Sequence, residues 1–80
     1  MKRVRFTASA ARALGKLSPD TRRQIGAKLR RYAETGAGDV RALVGRPALR
    51  LRSGDYRIIF LEMAEEIEVL AVGDRRDIYE

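Results

Sequence analysis

With 80 residues and a formal charge of +6, from 17 Lys and Arg against 11 Asp and Glu, the chain has room for a single small core, since domains usually run to about 100 residues or more. A hydrophobic content of 45% and a charged content of 35% exclude a disordered chain on one side and a membrane-embedded one on the other. The lack of any cysteine or histidine excludes disulfides, thiolate metal sites and the side chain that usually moves protons near neutral pH. The start MKRVRFTASA is charged without the apolar run of a signal peptide, so a cytoplasmic location and no membrane partner are expected.

Taken in chain order, Lys2 to Phe6 alternate charged and apolar residues and predict a short half-buried strand. Thr7 offers an N-cap to a helix over Ala8 to Leu17, with Ala10, Leu14 and Leu17 at helical spacing. Ser18-Pro19-Asp20 restarts the chain as a second helix, because serine caps, proline is preorganised at the first helical position and aspartate suits the positive end of the dipole. That helix runs to about Thr35, with Ile25, Leu29, Tyr32 and Ala33 as its apolar stripe and Gly36 as its C-cap. Arg22, Arg23, Arg30 and Arg31 read as a solvated helix face. Gly36 to Pro47 reads as a loop in which Val40, Leu43 and Val44 make one anchoring turn. Leu49 to Arg52, Tyr56 to Glu62 and Ile67 to Gly73 then predict an antiparallel meander. The order gives an α+β fold: N-terminal strand, α-helical hairpin and three-stranded meander, all in one domain, with the hairpin covering one sheet face.

The charge is unevenly placed. Residues 1 to 57 hold fifteen cations and four anions, a net of +11, whereas residues 58 to 80 hold two and seven, a net of −5. Fourteen of the cations are arginine, whose planar fork suits phosphate. Strand parity points Leu49 and Leu51 one way and Arg50 and Arg52 the other. A hairpin loop at Ser53-Gly54 would oppose Arg52 to Asp55 and Arg50 to Arg57, leaving Leu49, Leu51, Tyr56, Ile58 and Phe60 on the core face. The Arg50 and Arg57 pair is repulsive, which makes sense if an anion sits between them. Ile59 and Leu61 fall on the open face as a candidate docking surface. The charged tail from Asp74 ends in Ile78 and Tyr79, which are expected to fold back onto the sheet.

Leu43-x-Gly45, then Leu49-Arg50-Leu51-Arg52-Ser53-Gly54-Asp55-Tyr56-Arg57-Ile58-Ile59-Phe60, then Val72-Gly73-Asp74-Arg75-Arg76-Asp77-Ile78-Tyr79 resemble the RelE/ParE superfamily of type II toxin-antitoxin toxins, on its RelE side. The resemblance implies a microbial-ribonuclease-like α+β fold and a metal-independent endoribonuclease, without cofactor, that cuts mRNA on the ribosome. It also implies a hetero-oligomer with a cognate RelB-like antitoxin. Carried over to this chain, Arg57, Arg75 and Tyr79 match catalytic positions, and Arg50, with Arg46, Arg52 and Arg76, falls among the RNA-binding residues. Ala48 stands where the pattern often has a basic residue, and Asp74 where many relatives have histidine.

Under this resemblance Tyr79, starting near pKa ~10, would be lowered by Arg50, Arg57 and Arg75, while the arginines stabilise charge on the phosphate. The alternatives are a ParE-like inhibitor of DNA gyrase, a non-enzymatic RNA-binding module and an inactive toxin kept as an antitoxin partner. Retention of Arg50, Arg57, Arg75 and Tyr79 speaks against the gyrase reading.

Overall fold

The computed structural model describes residues 1–76. In chain order they form β1 (Arg3–Phe6), α1 (Ala8–Gly15), α2 (Pro19–Thr35), β2 (Val40–Ala42), β3 (Leu49–Ser53), β4 (Tyr56–Glu62) and β5 (Glu66–Asp74).

Both helices begin where a hydroxyl can take an orphan amide. Thr7 accepts the Ala10 N–H at 3.1 Å and Ser18 accepts that of Thr21 at 3.3 Å, with Pro19 opening α2. Helix α1 stops at Gly15, short of the expected Leu17, and its end tightens as Lys16 and Leu17 donate back to Ala13 and Leu14. Arg22 closes this corner, donating to the carbonyls of Gly15 at 3.2 Å and Leu17 at 2.8 Å. It therefore belongs to the interhelical turn rather than to a solvated face. Gly36 ends α2 at φ 75, its N–H on Tyr32 O at 2.8 Å.

The five strands form one sheet in the order β1-β5-β4-β3-β2, with β1 parallel to β5 and the other pairs antiparallel. The meander of β3, β4 and β5 is as expected. Strand β2 replaces a stretch expected to be loop: Val40 pairs with Leu51, and Asp39 O accepts the Arg52 N–H at 3.0 Å. Three residues bracketed by glycines are too few to show a period of two.

The β3–β4 register also differs from expectation. Ser53 pairs with Tyr56, Arg52 with Arg57, Leu51 with Ile58, Arg50 with Ile59 and Leu49 with Phe60. The loop is Gly54-Asp55, because Gly54 has φ 60 and Asp55 does not adopt positive φ, the pattern of a type II′ hairpin turn with glycine at its first central position. Sliding the loop by one residue moves every cross-strand pair yet keeps every face. Leu49, Leu51, Tyr56, Ile58 and Phe60 all pack in or against the helix-side core.

Between Ile59 paired with Ala71 and Phe60 paired with Val69, β5 carries a bulge at Leu70. The Leu70 carbonyl accepts from Thr7 Oγ1 at 3.3 Å, and the extra residue turns both Val69 and Val72 inward. Phe60, Ile25, Leu29, Leu51, Ile58, Ile67 and Val69 are almost wholly buried, each contributing about 1.5–3 kcal/mol of transfer free energy. Tyr32 meets Phe60 edge-on at 5.4 Å between centroids.

The opposite sheet face is not bare. Leu43, Ala48 and Ile59 form a second buried cluster, with Leu61 and Ala71 packed against it. The β2–β3 loop folds back, tied by Leu43 N–H to Ala48 O at 3.1 Å. Ile59 is thus core, not a docking residue, and Ala48 serves as its lid.

Candidate nucleic-acid interface

Strand parity sets the chemistry of the half-covered face. On β2, β3 and β4 it carries Arg41, Arg50, Arg52 and Arg57, with Arg41 directly opposite Arg50 and Arg52 directly opposite Arg57. Opposed side chains leave their strands only about 5 Å apart, which gathers four arginines on one stretch of the face, with Arg52 Nε donating to Gly54 O at 3.3 Å. Like charges opposed in this way cost stability. Across the strands on their other sides, Ile59 stands beside Arg50 and Gly73 beside Arg57. Gly73 adds no side chain beside Arg57.

Arg50, Arg52 and Arg57 thus share one face, although Arg57 opposes Arg52 and not Arg50. Arg75 follows β5 and is exposed. Its N–H donates to Asp55 O at 2.8 Å, which pins the end of β5 to the β3–β4 turn beside Arg52 and Arg57. Arg76 turns instead to Asp74, whose Oδ1 accepts its backbone N–H at 2.9 Å and its Nε at 3.2 Å. These bonds, the backbone N–H first, hold the Asp74 carboxyl below the usual carboxylate range, with the charges of Arg76 and Arg75 adding. Asp55, Asp74, Arg75 and Arg76 line a pocket of about 230 Å³. Arg46 lies in the β2–β3 loop, at the end of β3 away from Arg52. Tyr79 lies outside the described residues.

Arg41 is the site residue that sequence reasoning missed. Its parity with Arg50 follows as soon as Val40–Ala42 is paired with β3, and that strand was the unrecognised one.

Toward β1 the same face is built differently. Arg5 Nε lies 2.9 Å from Glu66 and Arg5 Nη2 lies 3.5 Å from Glu68, while Arg3 reaches Glu66 at 3.9 Å. Below the β4–β5 hairpin, Glu62 accepts from Tyr32 Oη and Lys2 Nζ, both at 2.7 Å. Lys2 first, then Tyr32, lowers the Glu62 pKa. Burial, then the bond to Glu62, pushes the Tyr32 phenol up to about 12.

No group of three or more acidic ligands suited to a metal ion occurs among the described residues, nor a helix long and apolar enough to cross a membrane. What the arginine patch can do is grip an anion and stabilise charge that develops on it; arginine does not surrender its own proton.

The chain thus sets a helical hairpin on one face of a five-stranded sheet and gathers arginine on the other. The family profile of the ParE toxin of type II toxin-antitoxin systems (parDE) matches residues 4–79, and the chain belongs to this family, within the RelE/ParE superfamily. The fold is similar to the toxin structure from the Methanococcus jannaschii RelB-RelE antitoxin-toxin complex, at 20% identity, TM-score 0.77 and 94% coverage of each chain. It is similar to that from the intact E. coli RelBE complex, at 26% identity, TM-score 0.74, and coverage of 92% of this chain and 96% of that one. The YoeB/ParE toxin from Agrobacterium tumefaciens matches at 16% identity, TM-score 0.74, and coverage of 92% and 98%. Among individually curated proteins none matches the sequence.

Proposed function

We propose that this toxin is a metal-independent endoribonuclease that cleaves mRNA on the ribosome, stops translation and is held inactive by a cognate RelB-like antitoxin. The observation that carries the reading is the placement of Arg41, Arg50, Arg52 and Arg57 on one sheet face, in two arginine-on-arginine pairs across the strands. Cleavage without a metal needs attack of a ribose 2′-oxygen on the adjacent phosphorus, stabilisation of the resulting phosphorane and departure of the 5′-oxygen with a proton. Arg57, with Arg52 opposite it and Arg75 at the same end of the sheet, supplies charge to the phosphorane. Arg50 and Arg41 hold the flanking phosphate, and Tyr79 is assigned to proton transfer or base stacking at the 2′-hydroxyl. Such a site lacks histidine, so positioning of the mRNA by the ribosome carries much of the rate. The likeness to the RelE toxins supports this reading.

The test is induced expression of wild type and Arg57→Ala in cells, with mapping of mRNA ends. Cuts within translated codons for wild type alone are expected, and growth arrest with intact mRNA would overturn the ribonuclease.

The match to the ParE family profile favours a second reading, inhibition of DNA gyrase. A supercoiling assay separates the two, since a ribonuclease leaves gyrase turnover unchanged.

A further inference from the structure

Cleavage by the route proposed above needs an acceptor for the proton of the 2′-hydroxyl. Arginine cannot take a proton, and the chain has no histidine. On the sheet, Glu66 and Glu68 are paired with Arg3 and Arg5, Glu62 with Lys2 and Tyr32, and Asp74 with Arg76. Asp55 sits in the β3–β4 turn, outside the ladder of pairs.

Asp39 stands differently. Its carbonyl accepts the Arg52 N–H at 3.0 Å, and at the other end of β2 the Leu43 N–H donates to Ala48 O at 3.1 Å. The ladder between β2 and β3 therefore runs one pair past each end of the strand, with Arg41 and Arg50 in the middle. Residues 39, 41 and 43 alternate with Val40 and Ala42 and so share a face. That face is the one away from the helices, since Leu43 packs there with Ala48 and Ile59. Asp39 is thus exposed and opposite Arg52. Across three strands the row reads Asp39, Arg52, Arg57, at about 4.8 Å per step. Arg52 Nε turns along its own strand to Gly54 O at 3.3 Å, and among the described residues the Asp39 carboxylate has no ion pair. Its backbone is held in place. Val40 N–H donates to Gly38 O at 3.1 Å, and Gly38 lies so close to the core that a Cβ there would be 3.3 Å from Leu51 Cδ1.

We propose that Asp39 is the general base of the cleavage, an inference that rests on the ribonuclease reading above. The Asp39 carboxylate takes the proton of the 2′-hydroxyl as the 2′-oxygen bonds to phosphorus. The bond from phosphorus to the 5′-oxygen then breaks, and that oxygen leaves with a proton from solvent water. The products are a 2′,3′-cyclic phosphate and a 5′-hydroxyl, and Asp39 returns its proton to water. Arg52 stands between Asp39 and Arg57, so a phosphate held by the two arginines has its neighbouring 2′-oxygen on the Asp39 side. A carboxylate in this row does nothing for affinity, because it repels the phosphate that the arginines attract. Its use is chemical, and it leaves base stacking to Tyr79.

The test follows single-turnover cutting of end-labelled mRNA on stalled ribosomes by the purified full chain, beside its affinity for a short RNA. Asp39→Asn, which keeps the shape and loses the base, is expected to cut at least about a hundredfold more slowly while binding the RNA as tightly as wild type or more tightly. Added formate, a free carboxylate, is expected to raise the rate of Asp39→Ala at least about tenfold over chloride at equal ionic strength, a rescue that a side chain shaping only the loop would not show. Cutting by Asp39→Asn at the wild-type rate, or a loss of cutting matched by an equal loss of RNA affinity, would overturn the assignment and leave the ribonuclease reading standing. No cutting by wild type would overturn that reading and this assignment with it.

Discussion

The two halves of the sheet face away from the helices use the same residue in opposite ways. Toward β1, arginine alternates with glutamate: Arg5 sits between Glu66 and Glu68, and Arg3 beside Glu66. Toward β2, arginine meets arginine, at Arg41 with Arg50 and at Arg52 with Arg57. The first half is electrostatically closed and serves the join between the only parallel strand pair of the described sheet. The second half sets like charges opposite one another, an arrangement that costs stability, and gathers the arginine suited to gripping phosphate. The net charge of +6 is therefore a poor guide to the site, since part of the arginine is consumed in holding β1 to β5.

This contrast can be broken at either half, and the effects should differ in kind. The largest expected effect is on function: Arg57→Ala should lower ribosome-dependent cleavage by about 10²–10³-fold, the loss typical of removing one preorganised transition-state contact. Next, Arg41→Ala should weaken RNA binding by roughly tenfold, as expected for one charge-assisted bond of about 1.5 kcal/mol, measured by titration with a short RNA at fixed salt.

The closed half should respond in stability instead. Arg5→Glu, which sets a third carboxylate beside Glu66 and Glu68, should cost about 1 kcal/mol and lower the midpoint by roughly 4–8 °C for a domain of this size, with cleavage by the folded fraction unchanged. A loss of cleavage with no loss of stability would contradict the division of roles.

The smallest effect lies at the Lys2–Glu62–Tyr32 group under the hairpin. Tyr32→Phe should cost ~0.5–1 kcal/mol, read by denaturant unfolding. Because the folded-state pKa of Tyr32 is raised from 10.0 to about 12, its contribution is fully present below pH 10 and is lost as pH rises toward 12. Glu62, lowered in the folded state, contributes above the ordinary carboxylate range and loses that contribution as pH falls through it. Tyr32→Phe should abolish the alkaline loss, and an unchanged alkaline profile in the variant would contradict the assignment.

How much of this was legible follows from which interactions are local. Thr7, Ser18-Pro19 and Gly36 announce their helix ends because caps are made within a few residues. Strand parity placed Arg50, Arg52 and Arg57 on one face, because a period of two survives any register shift of the kind seen here. The cross-strand pairs were not legible without the turn. Ser53-Gly54 and Gly54-Asp55 are equally plausible loops until one asks which places a positive-φ glycine first. Non-local features stayed hidden: the pairing of Val40–Ala42 with β3, which revealed Arg41, the parallel join of β1 to β5, and the fold-back of Leu43 and Ala48 over Ile59. Arg22 shows the reverse error, an arginine that looks solvated by periodicity and is used by the backbone of the neighbouring turn. The tail bearing Tyr79 lies outside the described residues, so its role rests on the resemblance alone.

The central claim is that the arginine-on-arginine half of the sheet acts on RNA phosphate. It is tested most directly by incubating purified wild type and Arg57→Ala with ribosomes stalled on an end-labelled mRNA and resolving the products. The account predicts a discrete cut in the ribosome-bound message by wild type and at least about a hundredfold slower cutting by the variant. Equal cutting by both proteins, or no cutting by wild type under conditions where it blocks gyrase supercoiling, would contradict it.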